Sequence, residues 1–312
     1  MVSAAYPAIA VVGPTGSGKT QLAMTLAEQF QGEIVSCDAL QVYRFMNIGT
    51  AKAGPEVRER IALHMLDLRD PDEDCSAGDY QRLARQVLRL ISAKSRIPLV
   101  AGGTGFYLRA LIEGLFEGPG RSEEIRGRLR KILHRRGARS LHRALRRVDP
   151  DSAAHISPAD GSRIVRAYEV YLETGKPMSW WQSQPRDSLQ GYRWLRLGIA
   201  WPRDILYQRI NLCVEEMFQK GFVDEVRGLL ERFPPGCHAF HAIGYRQIVG
   251  YLHGKWSLEH AIGDTQRESR HYAKRQLTWF RADKEVNWLD VSPDWESCVS
   301  RASALVAAFT GR

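Results

Sequence analysis

Residues 11–23 read VVGPTGSGKTQLA. Within them Gly13, Pro14, Thr15, Gly16, Ser17, Gly18, Lys19 and Thr20 fit G-x-x-x-x-G-K-T in full. What lies on either side makes the pattern a constraint on the fold. The run AIAVV leads straight into it, and from Gln21 to Phe30 the residues Leu22, Leu26 and Phe30 share one helical face. A strand feeding a glycine loop that opens a helix turns backbone N–H groups inward, around an anion. The helix N-terminus adds partial positive charge. Lys19 can neutralise a terminal phosphate, and the Thr20 hydroxyl is placed to ligate Mg²⁺. The expectation is a loop, Gly13 to Thr20, that binds either a nucleotide such as ATP or a diphosphate, with Mg²⁺ as cofactor.

The rest of the first third repeats the alternation. EIVSCD reads as a second buried strand ending in Asp38, and Tyr80, Leu83, Val87, Leu88 and Ile91 give helical spacing between Ser76 and Ser95. IPLVAGGTG is a third strand that breaks at Gly102. Strands alternating with helices through short loops mean right-handed crossovers and a parallel sheet, with ligands at the carboxyl ends of the strands. After Gly114 the character changes: FEGPGRSEE reads as a linker into Arg-rich helices, followed by a helix from Ser162 to Thr174 that stops at TGKP. YRWLRLGIAW resumes as a strand, and Pro202 starts another helix. The fold class expected is α/β: a parallel-sheet core of the phosphate-loop NTPase type with an inserted, mostly α-helical domain. Residues 1–117 and 192–312 would form the catalytic core with C-terminal helices, and 118–191 the insertion.

Charge gives the insertion a candidate purpose. The net charge is +9, and residues 121–147 hold eleven Arg or Lys against two Glu, so the remainder is near neutral. An anionic polymer is the usual reason to concentrate one sign of charge. A solvated helical face explains such a run equally well from composition alone. Arg267, Arg270, Lys274 and Arg281 lie close to one helical face, a second basic one, and Ala273, Leu277 and Phe280 form another. The five cysteines (37, 75, 213, 237, 298) are scattered without a C-x-x-C pair, which argues against a disulfide framework and suits a reduced cytoplasm. Neither a signal peptide nor a membrane span is expected.

The loop does not name its ligand. ATPases and GTPases usually add a carboxylate at the end of another strand to organise Mg²⁺ and water. Here the third strand ends in AGGTG, with no acid, and the acidic residue at the sheet's carboxyl edge is Asp38. That favours group transfer to a bound acceptor over hydrolysis.

Seven blocks then occur in order: GPTGSGKT, SCDALQVYRFMNIGTAK, HMLD, AGGTGFYLRAL, DPDSAAHISPADGSRIVRAYEVYLETGKPMS, HAIGYRQ and YAKRQLTWFR. Together they resemble the bacterial tRNA dimethylallyltransferases, or isopentenyltransferases, from about residue 8 to residue 290. The resemblance implies transfer of a dimethylallyl group from dimethylallyl diphosphate to N6 of adenosine 37, beside the anticodon of tRNA. Mg²⁺ assists and diphosphate leaves. The chain departs from the family in having Ala39 where many members have Ser, and one His, His64, where others have two. The tail lacks the zinc finger of some eukaryotic relatives, and Cys237, His238 and His241 read as ordinary loop residues.

The resemblance also implies roles for residues. Lys19, Asp38 and Thr104 are the catalytic candidates: Lys19 on the departing diphosphate, Thr104 at the bridging oxygen, Asp38 as the base that takes the N6 proton once the nitrogen becomes cationic. Contacts to the anticodon stem-loop are implied for Asp38, Ala39, Leu40 and Gln41, for Thr104, and for Arg126. A further set is Ser162, Arg163, Ile164, Val165 and Arg166. Another is Ile243, Gly244, Tyr245, Arg246, Gln247 and Ile248. The last lies on the C-terminal helix: Lys274, Arg275, Gln276, Leu277, Thr278, Trp279, Phe280 and Arg281. The chain is expected to act as a monomer. Two other readings stay open on the residues alone, a small-molecule or nucleotide kinase using ATP and a nucleotide-switched RNA-binding protein without catalysis.

Overall fold

The structure is a computed structural model that describes residues 5–291 and 294–312. It contains two compact units. Residues 1–112 together with 189–312 make the first, and 113–188 the second. The second unit therefore begins and ends a few residues before the bounds expected from the linker glycines.

The first unit is built on six parallel strands: β1 (Tyr6–Val12), β2 (Gly32–Ser36), β3 (Leu63–His64), β4 (Ile97–Gly102), β5 (Tyr192–Ala200) and β6 (Val286–Asp290), in the spatial order β3-β2-β4-β1-β5-β6. The α/β parallel-sheet class is as expected. Successive side chains of β1 point to opposite faces and into separate cores. Ile9 and Val11 pack with Leu99, Leu197 and Ile199 against Leu22 and Leu26 of the helix Lys19–Gln29 and against Cys298 and Val306 of the helix Trp295–Thr310. Ala10 and Val12 pack on the other face with Val35 and Val100, against Tyr80 and Leu88 of the helix Ala77–Ala93 and Tyr107 and Leu111 of the helix Gly105–Glu113. Packing on both faces is why every residue of β2 and β4 is buried, without alternation.

Two strands were not expected. β3 has only two residues, and β6 reads VNWLD, with a mixed burial that has no period of two. β2 also stops at Ser36, two residues before Asp38. Its hydrogen bonding continues one step, with Cys37 N–H donating to Ala101 O at 2.8 Å, and then the chain turns away from the sheet.

The loop after β2 is anchored by distant helices. Val42, Tyr43 and Met46 pack with Phe222 and Val226 of the helix Phe222–Arg232 and with Tyr245 and Ile248 of the helix Tyr245–Leu252. The carboxylate of Glu225 accepts from the backbone N–H groups of Asn47 (2.9 Å), Ile48 (2.6 Å) and Gly49 (3.2 Å), and from the Tyr245 hydroxyl (2.7 Å).

The second unit holds the helices Glu123–Arg136, Ala138–Val148, Pro150–His155, Gly161–Thr174 and Met178–Ser183. Its core comprises Leu129, Leu141, Ile164 and Val165 at one end and Leu145, Ala153, Ala167, Val170 and Met178 at the other. The helix Gly161–Thr174 ends where expected: Gly175 adopts φ 70°, a left-handed conformation that costs glycine no Cβ clash.

Candidate active site

The register of three adjacent strands brings the expected site together. Val12 pairs with Gly102, and Ser36 pairs with Ala101, so the loops leaving β1, β2 and β4 start side by side. They carry Gly13–Lys19, Asp38 and Thr104.

The phosphate loop enters its helix without a side-chain cap. The N-cap is Gly18 at φ 87°, and a Cβ there would lie 2.8 Å from the Trp295 ring, so only glycine fits. A helix start lacking a cap leaves its first N–H groups for a ligand. Among the described residues no backbone acceptor meets the N–H groups of Gly18, Lys19 or Thr20. Lys19 Nζ donates to Pro14 O at 3.2 Å, within its own loop. Burial lowers the pKa of Lys19, and the nearby Asp38 carboxylate works against that shift. The two side chains thus share one electrostatic environment.

Asp38 folds back on its own loop. Its Oδ1 accepts from the N–H of Leu40 at 2.9 Å, which leaves Oδ2 without a donor among the described residues. Thr104 Oγ1 accepts the N–H of Ala39 at 3.1 Å, so the hydroxyl proton remains available to donate elsewhere. The Thr104 backbone N–H donates to Cys37 O at 3.1 Å. Cys37 itself is buried between these groups, and burial pushes its thiol up to about 12, so it stays protonated.

For Mg²⁺ the protein offers few ligands. Thr20 is exposed at the loop, with a hard oxygen donor. No group of three or more His, Cys, Asp or Glu able to hold a metal occurs among the described residues. That donor set suits a Mg²⁺ ion that takes most of its ligands from phosphate oxygens and water.

Several residues around the loop carried no sequence signal. Trp201 Nε1 donates to Ser17 O (2.9 Å), and Arg209 Nε donates to Gly16 O (3.0 Å) while its guanidinium stacks over Trp201 at 4.4 Å. Tyr272 lies against Thr104 and Asp38, and burial is the main cause that raises its hydroxyl to about 12. Trp201 and Arg209 lie outside the seven blocks, and Tyr272 opens the block YAKRQLTWFR, which does not say that its side chain faces Thr104.

The residues expected to touch tRNA divide sharply. Arg163, Arg246, Lys274, Arg275, Thr278, Trp279 and Arg281 are exposed, as is Ser162. Others are buried. Ile164 and Val165 are core residues of the second unit. Gly244, Tyr245, Gln247, Ile248 and Phe280 are buried, with Tyr245 bound to Glu225 and Gln247 Nε2 donating to Asp264 Oδ2 at 2.8 Å. An apolar or internally paired side chain inside a helical core has no surface to offer a ligand. Gln41 is occupied as well, accepting from Ser36 Oγ (2.8 Å) and donating to Thr50 O (3.1 Å). Gln276 is buried on two loops of the site. The sequence reading missed this division because a motif block carries its structural residues along with its contacting ones.

Arg126 and Arg166 have a partner in the protein. Both donate to Oε2 of Glu169, at 2.7 and 3.0 Å, and the Glu169 side chain is 0% exposed. Arg166 also donates to Gly120 O and Pro119 O, and Ser122 N–H donates to Glu169 Oε1. Burial works to raise the pKa of Glu169, but the two guanidinium groups outweigh it and hold the carboxyl below its usual range. Of the eleven basic residues between 121 and 147, all except Arg126 are exposed.

Comparison with known proteins gives a consistent result. Residues 41–283 match the family model described as IPP transferase. The tRNA dimethylallyltransferase of Solibacter usitatus is 48% identical over 98% of this chain and 100% of its own length. That of Geobacillus thermodenitrificans is 44% identical over 91% of this chain and 90% of its own. Among solved structures, the tRNA isopentenylpyrophosphate transferase of Bacillus halodurans aligns with a TM-score of 0.73 at 37% identity, over 98% of this chain and 97% of that one. A eukaryotic dimethylallyltransferase acting on tRNA aligns with a TM-score of 0.80 at 26% identity, over 98% of this chain and 80% of that one.

Proposed function

The chain belongs to the IPP transferase family, and from that premise we propose how it transfers a dimethylallyl group from dimethylallyl diphosphate to N6 of adenosine 37 in tRNA. The observation that carries the reading is the meeting of three loops, with Lys19, Asp38 and Thr104 at neighbouring strand ends and no carboxylate closing β4. A hydrolase needs that carboxylate to organise water; a transferase needs an acceptor held opposite a leaving group.

The open N–H groups of Gly18, Lys19 and Thr20, with the Lys19 ammonium, bind the diphosphate and stabilise charge as it departs. The allylic C–O bond breaks and its electron pair stays on the bridging oxygen. Thr104, whose oxygen already accepts from Ala39, donates its proton as a hydrogen bond to that oxygen. The N6 lone pair of the adenine forms the new C–N bond, which makes the nitrogen cationic and acidic. Asp38 Oδ2 then accepts the N6 proton, and diphosphate leaves. A carboxylate is too weak a base to deprotonate the neutral amine, so proton transfer follows bond formation. Mg²⁺ is the proposed divalent ion; held at the Thr20 hydroxyl, it would neutralise charge on the diphosphate.

The adenine must leave its stack to reach this site, so the enzyme works on an extruded base. The exposed arginines of the second unit grip the anticodon stem-loop by its phosphates, which positions the base without reading it. No helix among the described residues is long and apolar enough to cross a membrane. The proposed setting is the cytoplasm, with the enzyme acting as a monomer.

The test is to incubate the protein with dimethylallyl diphosphate, Mg²⁺ and unmodified tRNA, and to follow the tRNA by mass spectrometry. One five-carbon addition on one adenosine is expected, with diphosphate released and ATP untouched. ATP consumption without that product would indicate a kinase instead; tRNA binding with no covalent product would indicate a switch protein.

A further inference from the structure

The helix Leu258–Arg281 buries Ala261, Thr265, Ala273, Gln276 and Phe280. A primary amide in such a stripe is costly unless its donor and its acceptor are both used. Gln276 is 6% exposed and uses both. Its Oε1 accepts the N–H of Thr15 at 2.9 Å, and its Nε2 donates to Gly103 O at 2.9 Å. Thr15 lies on the loop leaving β1 and Gly103 on the loop leaving β4. One side chain therefore spans the phosphate loop and the loop that carries Thr104. The orientation of the amide is fixed, because only an oxygen can face the N–H and only an NH₂ the carbonyl.

The loop after β4 is shaped to receive this helix. A Cβ at Gly103 would lie 2.1 Å from Gln276 Nε2, and one at Gly105 would lie 2.1 Å from Trp279 Cδ1. Both positions must lack a side chain for the helix to sit this close. One turn before Gln276, Tyr272 sits on the same side of the helix, against Thr104. A leucine or methionine would fill the stripe as well as Gln276 does, but would leave Thr15 N–H without its partner and Gly103 O with only the Gly105 N–H, at 3.2 Å.

We infer that Gln276 is a positioning residue for the transfer reaction, setting the separation between the amides that hold the departing diphosphate and the Thr104 hydroxyl at the bond that breaks. The inference rests on the function proposed above. It replaces the expectation that Gln276 contacts tRNA. Reacting groups displaced by about 1 Å lose roughly 10²-fold in rate, which is the scale of effect available to such a strut.

Two variants of the full-length protein test this. Gln276→Met keeps the volume and removes both hydrogen bonds. It should lower kcat about 10- to 100-fold and weaken binding of inorganic diphosphate, with KM for tRNA unchanged and circular dichroism like wild type. Gln276→Glu should be inactive as a carboxylate and recover as a neutral acid, whose O–H can donate to Gly103 while its C=O accepts from Thr15. Burial beside a carbonyl raises a carboxyl pKa, so its kcat relative to wild type should rise as pH falls from about 8 to about 5. A purely structural residue would not acquire that pH dependence. Gln276→Met within about twofold of wild-type kcat, or a flat ratio for Gln276→Glu, overturns the inference while wild-type turnover leaves the proposed function standing. A wild-type protein that makes no prenylated tRNA overturns that function, and the inference with it.

Discussion

The N–H of Ala39 donates to Thr104 Oγ1 across 3.1 Å, so a single hydroxyl joins the loop leaving β2 to the loop leaving β4. The oxygen is spent on structure and the proton is left for chemistry. Thr104→Val removes both, Thr104→Ser neither. The valine variant should lose about 10²-fold in kcat, the scale of one donor to a developing oxyanion. The serine variant should stay within a few-fold. Steady-state kinetics on a saturating tRNA substrate check this.

Asp38 and Lys19 oppose each other in charge, and the carboxylate supports the lysine proton that burial disfavours. Diphosphate affinity should fall as pH rises through the lowered Lys19 pKa. Asp38→Asn withdraws the support, so the alkaline loss of diphosphate binding should move to lower pH. The same variant should lower kcat by about 10²- to 10⁴-fold, the range for a general base, with tRNA affinity retained. Calorimetric titration with diphosphate across pH, beside single-turnover assays, reads both effects.

Arg128 and Arg130 are exposed and their helix packs through Leu129, so their charge can be removed without touching the core. Changing both to Gln should raise KM for tRNA and reduce the slope of log affinity against log salt by about 1 to 2, one phosphate contact or less per arginine. Diphosphate affinity should not change. A salt slope equal to wild type would remove these two residues from the tRNA surface.

Glu169 is the fixed point of the second unit, because Arg126, Arg166 and Ser122 all turn toward it. Glu169→Gln should destabilise that unit by about 3 kcal/mol, since two partly buried guanidinium groups lose their counter-charge. Its carboxyl is depressed in the folded state. The stability it contributes is therefore present above the unfolded value of ~4.3 and lost as pH falls through the lower folded value. Hydrogen exchange over residues 161–174 at neutral and acid pH reports both effects.

Sequence and structure agree where the physics is local. The glycine loop, the apolar runs of β1, β2 and β4, and the Gly175 stop each follow from a few neighbouring residues. β3 and β6 were invisible because two residues, or five with mixed burial, carry no period. That Asp38 and Thr104 lie together at strand ends was legible because each follows closely on an apolar run. Trp201, Arg209 and Tyr272 were not, since their place at the loop depends on packing across most of the chain. That Ile164, Val165 and Ile248 are buried was not legible for the opposite reason: a shared block of residues does not say which side chains face outward.

The bond from Thr15 to Gln276 joins positions 261 residues apart. A ribosome adding about 5 to 20 residues per second needs roughly 13 to 50 seconds to cover that interval. The phosphate loop is among the first parts to emerge, yet it lacks its brace until the helix Leu258–Arg281 has been made. A nascent chain therefore carries an unfinished grip, and competence to hold the prenyl donor arrives only near the end of synthesis.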